Sequence, residues 1–263
     1  MEIKMMIEML PLWLFYLLTV AIVFASVMTG FRIGSNLRLR NKGLSEAPIG
    51  TIVGAMLGLL AFILAFTFGM AATRFDARKN LLLDETNAIG TAFLRADFLP
   101  AVQRQNTKTM LKKYVDIRAP GVSDRAKLPQ MLAESDTLQD QLWSQVTGLP
   151  EQSCNAELLA LYVQSLNEVI DIHAKRVTVG TQYRIPGSIW MALYFVTILT
   201  MGMVGYDFGV SNRGVLMISL ALALAFSSII LLIEDLDRPT EGFLKVSQRP
   251  MIELQQKLHK SDK

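Results

Sequence analysis

The chain has 263 residues, of which 51% are hydrophobic, and its formal net charge is +3. That charge is too small to indicate a nucleic-acid partner, and the single cysteine excludes an internal disulfide. The mean hydropathy of +0.34 is high for a soluble protein, so the composition favours a membrane protein.

Four uncharged runs are each long enough to cross a bilayer, which takes about 20 apolar residues. The predicted transmembrane helices are residues 9–31, 48–73, 186–206 and 214–233. Trp13 and Tyr16 lie near the start of the first run, and Trp190 and Tyr194 near the start of the third. Aromatic side chains of this kind are enriched at membrane interfaces. The sequence therefore predicts an all-α, polytopic protein whose first partner is the lipid bilayer.

Small residues recur every four positions in the second span, in two ladders. These ladders are Gly50, Gly54, Gly58 and Ala61, Ala65, Gly69. Small residues at this spacing allow helices to approach closely in lipid, so the ladders predict tight helix packing. No Gly or Pro follows directly after Thr73. We therefore expect one helix to cross the membrane and to continue into a soluble region.

Phe62, Phe66 and Met70 are also four residues apart, so they share one face of the same helix. Rings of apolar side chains can block a pore by excluding water, which makes these three residues candidates for a gate. The alternative is that they face lipid or pack against neighbouring spans, as most apolar stripes do.

Residues 74–185 have the composition of a soluble helical domain, without the alternation that indicates a sheet. Leu82, Thr86, Ile89 and Phe93 form one helical stripe, and Pro100 interrupts it. Three further helices are predicted, from Ala101 to about Arg118, from Asp124 to Gly148, and from a cap at Ser153 onward. Residues 234–263 are predicted to form a charged tail.

Inside the spans there is no Asp, Glu, Lys, Arg or His, whereas ion-driven transporters and motors usually place an ionisable residue at mid-membrane. This pattern disfavours that class. The sequence also lacks a phosphate-binding loop and a nucleophile elbow, so an enzyme has no candidate catalytic residues. His173, His259 and Cys154 have no partners at a metal-ligand or catalytic spacing, and we assign them no chemistry.

Three carboxylates, Glu234, Asp235 and Asp237, follow the fourth span. Carboxylates bind Ca²⁺, so they form a candidate cation site and calcium is the one cofactor considered. The alternative is a charged end of a span, with Arg238 as the ion partner. No regularly spaced loop such as an EF-hand accompanies the acids, which favours the alternative.

A basic stripe of Arg104, Lys108 and Lys112 lies in the soluble region. It could attract anions or lie on an anionic membrane surface, although such a stripe is usually a solvated helix face.

Four spans place both termini and residues 74–185 on the same side of the membrane. More basic residues flank the spans on that side than lie in the short loop between the first two spans. Because short basic flanks tend to stay inside the cell, we predict that this side is cytoplasmic.

Two motifs carry a resemblance to a known family. Phe75-Asp76-Ala77-Arg78-Lys79 resembles the aromatic-acid-Ala-Arg-Lys motif that follows the second span of bacterial bestrophins. The acid-rich segment that ends at Asp237-Arg238-Pro239 is similar to the one after their fourth span. Over nearly its full length the chain resembles the bacterial bestrophin-like family, whose members carry blocks similar to Asn87-Ala88-Ile89-Gly90-Thr91-Ala92.

That resemblance implies a homopentameric, helical ion channel in the bacterial inner membrane, with copies of itself and small ions as partners. The second spans would line the pore, and Phe62 and Phe66 would lie near its narrow neck. Bestrophins follow the neck with a polar, Asn-rich segment, where this chain has Thr67-Phe68-Gly69-Met70. The alternative function is a non-conducting membrane scaffold or sensor whose helical domain binds a partner or ligand.

Overall fold

The structure is a computed structural model that describes residues 10–40, 49–121, 125–150, 155–211, 216–239 and 242–260. Within them the chain forms helices and no strand, as the sequence predicts. The α-helices are α1 (Leu12–Arg40), α2 (Ile49–Arg95), α3 (Ala101–Arg118), α4 (Leu128–Thr147), α5 (Ala156–Thr181), α6 (Gly187–Ser211), α7 (Leu216–Asp237) and α8 (Arg249–Lys260). Short 3-10 helices cover Ala96–Phe98 and Arg125–Lys127.

Four helical segments are long and apolar enough to cross a membrane: Leu12–Arg40, Ile49–Phe98, Gly187–Ser211 and Met217–Asp237. Each overlaps one of the four predicted spans, whose limits stay predictions. Several predicted features lie outside the described residues, namely Met9 and Pro48 at span starts, residues 214 and 215, the caps Asp124 and Ser153, and Cys154.

The chain divides into two compact units. The membrane unit contains the described residues up to Thr73, those from Arg184 to Arg238, and Gly242–Leu244. The soluble unit contains those from Arg74 to Tyr183, together with Pro239 and the described residues from Lys245 onward. Helix α2 is unbroken over 47 residues, about 70 Å at 1.5 Å per residue, and it contributes to both units.

Glycines bring α1 and α6 into direct backbone contact within the membrane unit. A Cβ atom at Gly30 would collide with the Gly202 carbonyl, and one at Gly205 would collide with the Val27 carbonyl. Gly34 and Gly209, each four residues further along, are equally crowded. This is the close approach that small residues at a four-residue spacing permit in lipid.

The soluble unit is a helical bundle around one apolar core. Its fully buried side chains come from the second half of α2 and from α3, α4, α5 and α8, and include Leu82, Ile89, Leu111, Tyr114, Leu142, Tyr162, Leu166 and Met251. Pro100 precedes α3 as predicted, and Asn155 caps α5 by accepting hydrogen bonds from the amides of Glu157 and Leu158. Helix α8, inside the predicted charged tail, buries Met251, Leu254 and Leu258.

Candidate functional site

The apolar half of α2 has three distinct faces. Leu60, Leu64, Thr67 and Ala71 form a narrow stripe that is buried within the chain. The two small-residue ladders and the stripe of Phe62, Phe66 and Met70 each lie on their own side of the helix. At 3.6 residues per turn the three faces are about 120° apart. Only one of them is therefore covered by the rest of this chain.

The phenylalanine face is open in the single chain. Phe62 is 69% exposed and Phe66 is 60% exposed, while Met70 is half-buried. Large apolar side chains this open face either lipid, a neighbouring copy, or a pore. Their assignment to a gate stays a prediction.

The small-residue face is equally open. A Cβ atom built on Gly50, Gly54, Gly58 or Gly69 would have no neighbour within 4 Å, and Ala61 and Ala65 are exposed. No helix in the described part of the chain packs against the ladders. Their predicted packing role stays a prediction.

Among the four candidate spans, α2 is the least covered. Only 11% of its most apolar window is buried, against 22%, 28% and 33% for the windows in α1, α6 and α7. Helices α1 and α6 are held by the glycine contacts described above. Helix α2 thus presents the largest uncovered apolar surface of the described membrane helices.

The acids after the fourth span each bind a separate partner. Glu234 accepts a hydrogen bond of 2.8 Å from Arg238 Nε, and Arg238 Nη1 also donates to the Leu10 carbonyl at 2.8 Å. The Arg238 guanidinium thereby links the end of α7 to the residues before α1. Arg238 is therefore the ion partner of Glu234, while Asp237 lies 3.7 Å from Arg184.

Asp235 and Asp237 stabilise backbone groups. The Asp235 carboxylate accepts from the amides of Phe243 and Leu244 at 2.8 and 3.0 Å, and Asp237 accepts from the Ile185 amide at 3.1 Å. No group of three His, Cys, Asp or Glu side chains in the described part of the chain is arranged to hold a metal ion. The calcium site stays a prediction that gains no support from this geometry.

A buried polar network at the centre of the soluble unit was not anticipated from the sequence. Glu85 is fully buried, and Arg118 donates to both of its oxygens at 3.1 and 3.3 Å. Arg176 Nη1 also donates to Glu85, and the Tyr114 hydroxyl donates to it at 3.0 Å. His173 is buried, with Nδ1 2.9 Å from the Tyr114 hydroxyl.

This network keeps Glu85 ionised. Burial by itself raises the pKa of the Glu85 carboxyl, but the His173 ring, whose Nδ1 lies 3.8 Å from Oε1, and the positive charges of Arg118 and Arg176 outweigh it. The net result is a pKa far below its usual range. Burial also raises the pKa of Tyr114, so its hydroxyl stays protonated and can donate to the carboxylate.

A sequence signal for this network was present. Glu85 lies three residues after Leu82 and four before Ile89, so it falls on the apolar stripe that the sequence identifies. A charged residue on such a stripe indicates a buried pair. What the sequence does not give is its partners, which come from α3 and α5.

The basic stripe contacts its own unit. Lys108 lies 2.6 Å from Asp97 and 4.9 Å from the centre of the Phe93 ring, while Lys112 lies 5.7 Å from that centre. Arg104 donates to the Leu99 carbonyl at 3.3 Å. The contacts are those of a helix face packed on its neighbours. His259 lies 2.9 Å from Asp116 on the surface nearby.

These features define an all-helical membrane protein in which one long helix, α2, contributes to both the membrane unit and a soluble bundle. Comparison of the sequence with models of known protein families gives a specific match. The model of the Bestrophin-like domain matches residues 12–251, and the chain belongs to this family.

Solved structures share the fold. Two variants of a bacterial bestrophin homologue from Klebsiella pneumoniae are 16% and 15% identical to this chain, with TM-scores of 0.65 and 0.67. Each alignment covers 95% of this chain and 98% of the other. Identity at this level establishes the fold alone. A comparison with curated proteins gives no match.

Proposed function

We propose that this chain is the subunit of a homo-oligomeric ion channel in the bacterial inner membrane. The family and the fold shared with bacterial bestrophin homologues support a channel-type architecture. The single observation that carries the proposal is the exposure of the apolar half of α2. Only 11% of its most apolar stretch is buried in one chain. Helices from several copies that are arranged around a shared axis need exposed apolar surfaces, because each helix contacts neighbouring copies and the pore.

The three faces of α2 fit three roles in a ring of subunits. The stripe from Leu60 to Ala71 packs within the subunit, the small-residue ladders approach the neighbouring copy, and Phe62, Phe66 and Met70 point to the axis. Stacked rings of these side chains would form an apolar constriction that blocks ions by excluding water. We propose a pentamer, with the soluble unit and both termini in the cytoplasm.

The test is ion flux through the purified protein in liposomes. Phe62→Ala/Phe66→Ala widens and weakens the proposed constriction, so we expect flux to rise by about tenfold or more, as loss of about 1.4 kcal/mol from a barrier implies. The matched control is Phe195→Ala, because Phe195 is similarly exposed, at 64%, but lies on α6.

The control variant should conduct like the wild type. Equal flux in the wild type and the double variant would contradict the proposal that Phe62 and Phe66 form a gate. Absence of flux in both proteins, under every ionic condition, would contradict the proposed channel function.

The second candidate is a non-conducting membrane sensor or scaffold. One observation favours it: the soluble unit contains a pocket with Arg118 and Arg176 in its lining. In that case Phe62 and Phe66 would face lipid or other helices in the assembled protein. The position of these two rings relative to any axis therefore separates the two candidates.

A further inference from the structure

The soluble unit contains a pocket of about 250 Å³. Arg78 of α2 and residues of α3, α4 and α5 line it, together with Pro239 and the segment that leads to α8, and all of them belong to the soluble unit. Its volume is slightly below that of a typical drug-sized site, so it suits a small metabolite. Neither the fold nor the proposed channel activity requires a cavity here.

Cationic side chains dominate the polar part of this pocket. Arg118 and Arg176 both line it, and both are oriented by the same buried carboxylate, Glu85. Because one carboxylate serves two guanidinium groups, the pair keeps an excess of positive charge. Lys245 also lines the pocket, and no acidic side chain is among the described residues that do.

The guanidinium groups are also held in fixed positions. Arg118 is 7% exposed and makes two hydrogen bonds to Glu85, while Arg176 Nη2 donates to Gln248 Oε1 at 3.2 Å. Rigid, partly desolvated donors bind an anion more strongly than flexible surface lysines, because less entropy is lost and the charges are less screened. None of the three basic side chains of the stripe on α3 is buried to this degree.

The remaining wall is apolar and comes from Leu128, Met131, Leu132, Val177 and Val246. A bare inorganic anion would leave this wall against water. A molecule with a short hydrocarbon portion would cover it, at a gain of about 25 cal/mol for each Å² buried.

We propose that this pocket binds a small organic anion, with one carboxylate or phosphate group against Arg118 and Arg176 and a short apolar portion against α4. This site is independent of conduction, so its test and the flux test fail separately. The same chemistry occurs in soluble metabolites and in phospholipid headgroups, and the experiment distinguishes these two sources.

The probes are hexanoate, butyl phosphate and the neutral amide hexanamide, titrated calorimetrically into the full-length protein in detergent. We expect at least one of the two anions to bind about tenfold or more tightly than the amide, since a charged hydrogen bond is worth about 1.5–3 kcal/mol. If neither anion binds, or if the amide binds as tightly as both, the proposal is wrong.

Gly180→Phe is the sharpest variant. Gly180 lines the pocket, and a Cβ atom there has no neighbour within 4 Å, so a large side chain can enter the cavity without a backbone clash. Replacing a helical glycine also favours the helix, and the variant should fold as well as the wild type. It should lose the anion affinity, and unchanged affinity in this folded variant would overturn the proposal.

The contribution of positive charge to anion binding is tested with a matched pair of lysine variants in the soluble unit. Lys245→Gln should weaken the anion several-fold and leave the amide unchanged, while Lys175→Gln should change neither, because the exposed Lys175 does not line the pocket. An equal loss in both variants would indicate non-specific attraction and would contradict the proposed site.

The source of the anion is separated in nanodiscs made with phosphatidylcholine alone or with added phosphatidic acid. Competition of phosphatidic acid with the soluble probes would assign the pocket to a lipid headgroup. Undiminished affinity for the soluble probes would assign it to a soluble metabolite. Either result supports the anion site, provided that Gly180→Phe abolishes it.

Discussion

At the scale of single residues, Glu85 is the acceptor that joins the buried polar network of the soluble unit. Its carboxylate is fully buried and contacts Tyr114, Arg118 and Arg176, which come from two other helices. A buried ion pair contributes little net stability compared with apolar packing, but removing one partner leaves the other charge uncompensated. The network is therefore sensitive to loss of the carboxylate.

Glu85→Gln should lower the free energy of unfolding of the soluble unit by about 3–5 kcal/mol, because it leaves two buried guanidinium groups without a counter-charge. Hydrogen exchange of residues 101–118 in the full chain would measure the loss. The control is Asp97→Asn, which breaks an exposed pair with Lys108 and should cost at most about 1 kcal/mol. Equal protection in the two variants would contradict this role.

The free energy of unfolding of the soluble unit should depend on pH in a definite direction. The pKa of Glu85 is lower in the folded chain than its ordinary value of 4.5, so its contribution is complete above that value and is lost as the pH falls further. The wild type should lose stability on acidification below about pH 4.5, and Glu85→Gln should lack that part of the slope. Parallel acid slopes in the two proteins would argue against the assignment.

At the scale of elements, glycines have two different roles in the membrane helices. Gly30, Gly34, Gly205 and Gly209, at the contact between α1 and α6, are crowded by the backbone, whereas the four glycines in the apolar half of α2 have no neighbour within 4 Å of their Cβ positions. The same four-residue spacing thus serves packing within one chain in the first case, and in our proposal serves contact between chains in the second.

Gly205→Ala should destabilise the single chain by about 1–3 kcal/mol, since the new methyl group collides with the Val27 carbonyl. Gly54→Ala should not lower the stability of the chain and should weaken only its assembly, because nothing lies within 4 Å of its Cβ position. Thermal unfolding and light scattering in detergent measure the two effects. A destabilised monomer in Gly54→Ala, or an unaffected Gly205→Ala, would contradict this division.

The helices could be predicted from the sequence because their signals are local. Apolar runs, Pro100 and the stripe through Leu82 and Ile89 locate α2 and α3 without knowledge of the fold. The partners of Glu85 and the contact of Gly30 with α6 could not be predicted, because they depend on which helix faces which over long sequence separations. In our proposal the roles of Phe62 and Phe66 depend on other chains, which a single sequence does not describe.

At the scale of the whole molecule, the proposed channel function depends on which surfaces pack against α2 in the assembled protein. The single chain leaves both the small-residue ladders and the phenylalanine face open, and the family to which it belongs is that of the Bestrophin-like domain. In lipid, close packing of small residues between copies would hold the helices around one axis. The phenylalanine rings would then meet in the centre of the assembly.

The most direct test of this central claim is an electron cryo-microscopy structure of the assembled protein in lipid nanodiscs. We predict a cyclic oligomer in which α2 is the membrane helix nearest the symmetry axis, with the rings of Phe62 and Phe66 directed towards it. A monomer, or an oligomer in which α2 lies at the outer rim in contact with lipid, would contradict the account.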